Sequence, residues 1–207
     1  MSPGATFERV YNELKRMLTE GELAPGTPIE PALIGKRIAS SITPIRDALH
    51  RLTGERLVEA PNHNGFRVPL PTEATLRELY DWNDQVLKLA AKKHLPGFGW
   101  QAIIHNASGT DIVASTAALF LGVARGTGNG ELALAVGLLN ARLAAFRHAE
   151  IKILESMGDE LRGMVKVVVS GDRAALAKAL TRYHRRRLAA VANILTQSTG
   201  QATRTPT

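Results

Sequence analysis

The chain opens on a helical period. Between residues 7 and 20, Val10, Leu14, Met17 and Leu18 share one face with Tyr11 beside them, which predicts an amphipathic helix. Gly21-Glu22-Leu23-Ala24-Pro25-Gly26 ends it, because glycine closes helices and proline cannot continue them. Ile29, Leu33, Ile34 and Ile38 predict a second, short helix over residues 28–39. After a two-residue joint, Ala39-Ser40, the apolar set Ile45, Ala48, Leu49 and Leu52 recurs at i, i+3, i+4 and i+7 and predicts a third helix. Ser41 or Thr43 is placed to cap it, and Pro44 suits its first turn, where a missing donor costs nothing. Thr43, Arg46 and His50 fall away from the apolar face. Two short helices joined by a tight turn form a helix-turn-helix, whose second member belongs in a major groove.

After Leu57-Val58 the pattern changes. Asn64-Gly65, flanked by Val58 on one side and by Phe66 and Val68 on the other, is the strongest short hairpin signal, since a type I′ turn needs positive φ at both central positions. The hairpin reads as a wing, with His63, Asn64 and Arg67 at or near its tip, placed to touch sugar-phosphate or minor groove. Leu70-Pro71-Thr72 is the boundary: proline stops the wing and Thr72 caps the next helix.

Beyond residue 73 the period is helical throughout. Leu76, Leu79, Tyr80, Val86 and Leu87 predict a helix ending before Pro96-Gly97, and residues 101–109 leave a turn or two of helix open. Further helices are expected over 111–125, from 131 to about 157, over 160–169, and from Gly171-Asp172 to about residue 195. The stripe Leu132, Leu138, Leu139, Leu143 and Phe146 reads as core. Gly126-Thr127-Gly128-Asn129-Gly130 is read as a turn and not a phosphate loop, since no strand pattern precedes it and no Lys-Ser/Thr pair follows. The expected fold is therefore mainly α. Residues 1–70 form a winged helix-turn-helix domain with a small β-hairpin wing, residues 71–197 an all-helical bundle, and residues 198–207 a polar, disordered tail.

Composition narrows the function classes. The 207 residues suffice for a real core, and no apolar run approaches the roughly 18 residues of a membrane span. Glu8, Glu13 and Glu20 interrupt the opening stretch, unlike a signal peptide, so a cytoplasmic location is expected. There is no cysteine, hence no disulfide and no thiolate metal site. With neither a serine elbow nor paired His/Asp metal spacing, no enzyme is expected. The net charge of +7 is unevenly spread: residues 1–70 hold nine basic and eight acidic side chains, the remainder seventeen and eleven. Part of the excess is the run Arg182, Arg185, Arg186, Arg187, which reads as a solvated helix face. DNA binding by the first domain must then rest on local placement. Ser41, Thr43 and Arg46 suit the major groove, Lys36 and Arg37 the phosphates.

The order of residues over 7–70 resembles the GntR transcriptional regulators. That family's pattern runs helix, G-x-L-x-P-G, helix, S-R-T-P-x-R-E-A-L, R-L-x-x-E-G-L-V, then a glycine-turned wing. Gly21 to Gly26 matches the first motif; Ser41, Thr43, Pro44, Arg46, Ala48 and Leu49 match the second, with Asp47 for glutamate; Arg51-Leu52, Glu55 and Leu57-Val58 match the third. Two positions depart: Ile42 stands where the family has an arginine that usually reads DNA, and Arg56 where it has glycine. Loss of that arginine implies an operator unlike the commonest family sites.

The helical remainder resembles the FadR-like, or FCD, ligand-binding domain of one GntR subgroup, through Leu79-Tyr80-Asp81, Gly128-Asn129 and Gly171-Asp172, although residues 92–112 are short for it. Many such domains hold a divalent metal on an aspartate, a histidine four residues later and two further histidines. Here the first pair falls on Thr116/Phe120 or Ala117/Leu121 and the third on Leu161 or Arg162, while His184 alone is near its place, so no metal is expected. The resemblance implies a homodimeric regulator, most often a repressor, bound to a double-stranded DNA operator and modulated by a small organic acid. Arg142, Arg147, His148 and His184 are the candidate effector ligands, because arginine offers a two-pronged fit to carboxylate. The alternative is a ligand-independent or architectural DNA-binding dimer whose helical part is purely structural.

Overall fold

A computed structural model describes residues 3–61, 65–93 and 111–199. It divides into two compact units, the first made of the chain up to Pro71 together with the segment from Thr196 onward, the second running from Thr72 to Leu195. Each is described by itself.

In the first unit α1 (Pro3–Thr19) is followed by β1 (Pro28–Ile29), α2 (Pro31–Arg37), α3 (Ile42–Gly54) and β2 (Phe66–Arg67). The three helices pack as their stripes predict: Val10, Leu14 and Met17 of α1 and Ile45, Ala48, Leu49 and Leu52 of α3 are fully buried, with Ile34 of α2 closing the core. Each such Leu, Ile or Met contributes about 1.5–3 kcal/mol when removed from water. Gly35, inside α2, answers to a close approach: a Cβ there would meet the Ser40 carbonyl oxygen at 2.8 Å. That contact lets the chain turn from α2 into α3, with Ala39 at φ 49° and the Ser40 N–H donating to the Gly35 carbonyl at 3.0 Å.

Several boundaries differ from the sequence expectation. Residues 28–30 do not begin the second helix; Pro28–Ile29 is a strand. Glu30 precedes Pro31 and is held extended, at φ −95° and ψ 111°, so the helix starts at the proline. Ser41 occupies the N-cap of α3 but its hydroxyl forms no capping bond, and Thr43, the other expected cap, lies inside the helix. The wing is built on three short segments: Ile29 pairs antiparallel with Phe66, Pro28 with Arg67, and Glu59 exchanges both backbone hydrogen bonds with Arg67 at 2.8 and 2.9 Å. Gly65 takes the positive φ, 77°, that the turn reading requires, while His63 and Asn64 lie outside the described residues.

The end of α3 explains the odd arginine. Arg56 sits at φ 58°, with its N–H on the Thr53 carbonyl at 3.0 Å and the Leu57 N–H on the Leu52 carbonyl at 3.0 Å, a helix stop that glycine favours. Beside it Glu55 joins α3 to α1: the Tyr11 hydroxyl donates to one carboxylate oxygen at 2.5 Å and Lys15 to the other at 2.6 Å, while Arg51 lies over the Tyr11 ring at 4.1 Å. Burial pushes the Glu55 carboxyl up, but Lys15 and Tyr11 outweigh it and hold it below the usual range.

The second unit is helical: α4 (Glu73–Lys93), α5 (Ile112–Arg125), α6 (Gly130–Ile153), α7 (Met157–Ser170) and α8 (Arg173–Thr199). The Thr72 hydroxyl accepts from the Thr75 N–H at 3.2 Å, Asp111 caps α5, and Asn129 caps α6 out of the glycine-rich turn. Tyr80, Leu87, Leu119, Phe120, Val136, Leu143, Leu161, Met164, Leu180, Tyr183 and Ile194 form one core. The long helix stops at Ile153, short of the expected 157, and α8 continues past residue 195, so Ser198 and Thr199 are helical and not part of a disordered tail. Residues 101–109 and the rest of the tail lie outside the described residues. Among the described residues no helix is long and apolar enough to cross a membrane.

Two measurements test the first unit. Arg56→Gly relieves about 1–2 kcal/mol of left-handed strain and returns roughly 0.5–1 kcal/mol to the unfolded chain's freedom. A net gain of up to about 1 kcal/mol is expected in denaturant unfolding, and a lowered midpoint would contradict it. For Glu55 the folded pKa is depressed, so its contribution is complete above the unfolded value and is lost as pH falls through the folded one. Wild type should exceed Glu55→Gln in stability at pH 7, and the gap should close as pH drops below about 4.3; a pH-independent gap would refute the ion-pair account.

Candidate nucleic-acid interface and buried polar cluster

With one face of α3 buried, its first turn presents the other outward. Ser41, Ile42, Thr43, Arg46, Asp47 and His50 are all exposed, and Lys36 and Arg37 are exposed at the end of α2. The sequence-predicted groups are thus brought to the same end of the helix-turn-helix, but they are not equivalent. Arg37 is ion-paired with Glu22, which also takes Arg16. Lys36, Arg46 and Arg67 have side chains with no hydrogen bond or ion pair among the described residues. Arg67 projects from β2, exposed, on the strand that joins the wing to β1. The His50 ring packs edge-on against Phe66 at 5.0 Å, so it links α3 to the wing as well as facing outward.

One contributor escaped sequence reading. Arg9 of α1 donates from both terminal nitrogens to the turn before α3, to the Ile38 carbonyl at 3.0 Å and the Ala39 carbonyl at 3.4 Å. These carbonyls end a short helix and lack partners of their own kind, so a guanidinium is a fitting closure. Nothing in the helical period of α1 signals it, because Arg9 lies on that helix's polar side.

The second unit holds an interior polar cluster. Glu150 is fully buried, receiving the Tyr80 hydroxyl at 2.5 Å and the Arg187 Nε–H at 2.9 Å. Arg187 continues to Glu160 at 2.6 Å and to the Tyr183 carbonyl at 3.1 Å, its guanidinium 3.4 Å from the Tyr183 ring centroid. Burial, with Glu150 adding to it, pushes the Tyr80 phenol well up, and Arg187 stays firmly charged. The basic run is therefore not a wholly solvated face: Arg182 and Arg185 are exposed, but Arg187 is interior, because two glutamates from α6 and α7 compensate it.

Arg147 has no such compensation among the described residues. It is 1% exposed, donates from Nη1 to the Asn140 amide oxygen at 2.9 Å, and lies 5.4 Å from the Phe120 ring centroid. Its Nε and Nη2, and the nearby Tyr183 hydroxyl, complete no hydrogen bond of good geometry among the described residues, although the two side chains lie close enough for Arg147 to draw the phenol's pKa down. Burial pushes the Tyr183 phenol up against the opposing cations Arg187 and Arg147. His184 also lies against Phe120, at 6.4 Å between centroids, and both its nitrogens are engaged: Nε2 accepts from Asn83 at 2.8 Å, and Nδ1–H donates to the Leu180 carbonyl at 2.8 Å with Asp84 at 3.2 Å. Burial pushes Asp84 up, yet His184 and Lys88 hold its carboxyl below the usual range. Arg142 and His148 are half-buried on α6. Of the four candidates, then, Arg147 and His184 meet at Phe120, and Tyr183 joins them.

Thr116, Phe120 and Leu161, from one of the two registers that the FCD resemblance allowed, are buried side chains, and His184 is committed to Asn83. Among the described residues no group of three or more histidines or acids is placed to hold a metal ion. These residues do not fit a divalent cation.

Residues 6–68 match the model of bacterial regulatory proteins, gntR family. The HTH-type transcriptional repressor GlaR of Escherichia coli (strain K12) is 34% identical over 71 residues, 34% of this chain and 32% of GlaR. The HTH-type transcriptional regulator YdhC of Bacillus subtilis (strain 168) is 32% identical over 78 residues, 38% of this chain and 35% of YdhC. The chain thus spans about a third of the length of the curated relatives it matches. Among solved structures, E. coli McbR/YncC covers 90% of this chain and 97% of its own at a TM-score of 0.70 and 18% identity. A Rhodococcus sp. RHA1 protein described as a transcriptional regulator GntR covers 91% and 98% at a TM-score of 0.75 and 17% identity. Those two likenesses extend the shared fold across both units. By its motifs, its helices and wing, and its family match, the segment 6–68 is a winged helix-turn-helix domain similar to those of the gntR family.

Proposed function

We propose that this chain is a sequence-specific DNA-binding transcriptional regulator, a homodimeric repressor in the cytoplasm whose affinity for a double-stranded operator changes when a small organic acid occupies its helical unit. The observation that carries the DNA-binding half is the outward first turn of α3, with Ser41, Thr43 and an Arg46 unpaired among the described residues at the end of a recognition helix. Arg46 would bond base edges in the major groove; Lys36, Arg37 and the wing residues His63, Asn64 and Arg67 would fix register on phosphate or minor groove. That the E. coli relative 34% identical over 71 residues is named a repressor supports the same role here.

Arg147 supports the effector half, in a helical unit compatible with the FadR-like, or FCD, subgroup. A buried guanidinium with two unsatisfied donors is costly, and a carboxylate satisfies both donors and the charge at once. Tyr183 would donate its hydroxyl to the same anion, and His184 would border it through Phe120. Arg142 and His148 lie on the same helix as Arg147 and belong to the wider candidate set. Any coupling is reciprocal: an acid that loosens the operator is itself held less tightly on DNA.

Arg46→Ala should keep the wild-type circular dichroism and lose roughly 5- to 150-fold in affinity for an operator selected by the wild-type chain, with little change on random DNA at the same salt. An unchanged operator affinity would overturn its assignment. Arg147→Met has two expected effects of opposite sign. Without ligand it should raise the melting temperature, since an uncompensated buried charge is gone; across a panel of small carboxylic acids it should lose the thermal stabilisation wild type shows. Equal acid-induced shifts in both proteins would exclude Arg147 as the anchor.

A further inference from the structure

We infer that Ile42 reads a thymine, fixing one A·T pair of the operator through apolar contact with the 5-methyl group. The inference rests on the DNA-binding reading above and adds a specificity determinant to it. Ile42 is the first residue of α3 and is 50% exposed, whereas Ile45, Leu49 and Leu52 of the same helix are fully buried. A singly exposed apolar residue is ordinary on a protein surface; the position is what matters here. The N-terminal residues of a recognition helix are those that reach base edges. Ile42 stands there between Ser41 and Thr43, one turn before Arg46, in a row otherwise made of hydrogen-bonding side chains.

An isoleucine side chain has neither donor nor acceptor, so it cannot satisfy the N7, O6, O4 or amino groups that line the major groove. The thymine methyl is the one apolar group the four natural bases present there. Opposite guanine or adenine, Ile42 would strip water from a polar edge and return nothing, which is discrimination by penalty as much as by attraction. Ile42 is half-exposed and outside the set of buried residues, so Ile42→Ala is expected to keep the fold.

The test uses the full chain. Wild type and Ile42→Ala are each used to select binding sites from a random duplex pool at one fixed salt concentration, with circular dichroism confirming that both are folded. Every thymine of the wild-type consensus is then replaced in turn by uracil, which removes the methyl group and keeps the pairing edge. One position in each half-site should lose about three- to fivefold in wild-type affinity on uracil substitution, and the same substitution should leave the affinity of Ile42→Ala unchanged. If wild type selects a consensus but no uracil position separates the two proteins, the thymine assignment is overturned while the DNA-binding reading stands. If wild type selects no consensus at all, the DNA-binding reading itself fails and takes this inference with it.

Discussion

The first unit depends on the burial of one face of α3 against α1. Ile45, Ala48, Leu49 and Leu52 are removed from water together, and a helix so anchored has no freedom to roll. The angular position of every outward residue follows from that seam, because the helical period ties Thr43 and Arg46 to the buried set. Polar contacts then fix what the seam leaves loose. Glu55, gripped by Tyr11 and Lys15, holds the far end of α3 to α1; Arg9 holds the turn before its near end. A recognition helix is useful only if its first turn is held to fractions of an ångström, and here both of its ends are tied to the same neighbouring helix.

The second unit shows the opposite economy. Its interior contains two arginines, and the difference between them separates structure from candidate function. Arg187 has two glutamates, a backbone carbonyl and an aromatic face, and it ties α6, α7 and α8 together. Breaking such a network by removing one partner costs about 3–5 kcal/mol, so it is held for the fold. Among the described residues Arg147 has one neutral amide and a ring at its side. A group that a fold would be better off without is a group kept for something else.

Much of this was legible in the sequence. The apolar stripes of α1 and α3, the stop at Gly21–Gly26, the Asn64-Gly65 turn signal and the long helical periods beyond Thr72 each rest on local chemistry, and local chemistry is what one sequence carries. The misses share a cause. β1 is two residues long, too short for any period, and exists because β2 and Glu59 complete it across a gap of more than thirty residues. The basic run around Arg187 looked solvated, since its compensating charges, Glu150 and Glu160, come from other helices. Arg9 was invisible for the same reason. Among the effector candidates, residue type picked out Arg147, but nothing local distinguished it from Arg142 or His148. That distinction is a matter of which partners are absent, and absence of a partner is a property of the packed core alone.

The two departures from the family motif show how position decides consequence. Arg56 and Ile42 both replace the residue the pattern calls for, one at each end of the same helix. At the C-terminal end the requirement is conformational: the chain must turn left-handed to stop the helix, and any side chain with a Cβ meets that requirement at some cost. The loss is confined to stability, because Arg56 does not lie on the outward first turn. At the N-terminal end there is no conformational requirement, since Ile42 takes ordinary helical geometry and lies outside the set of buried residues. The fold is indifferent to what stands there, so the residue is open to selection by whatever the helix meets. A substitution that costs the fold nothing and removes hydrogen-bonding capacity from a recognition surface changes what can be recognised. On the proposed reading, the strained departure therefore bears on how firmly the domain folds, and the unstrained one on which DNA it would read.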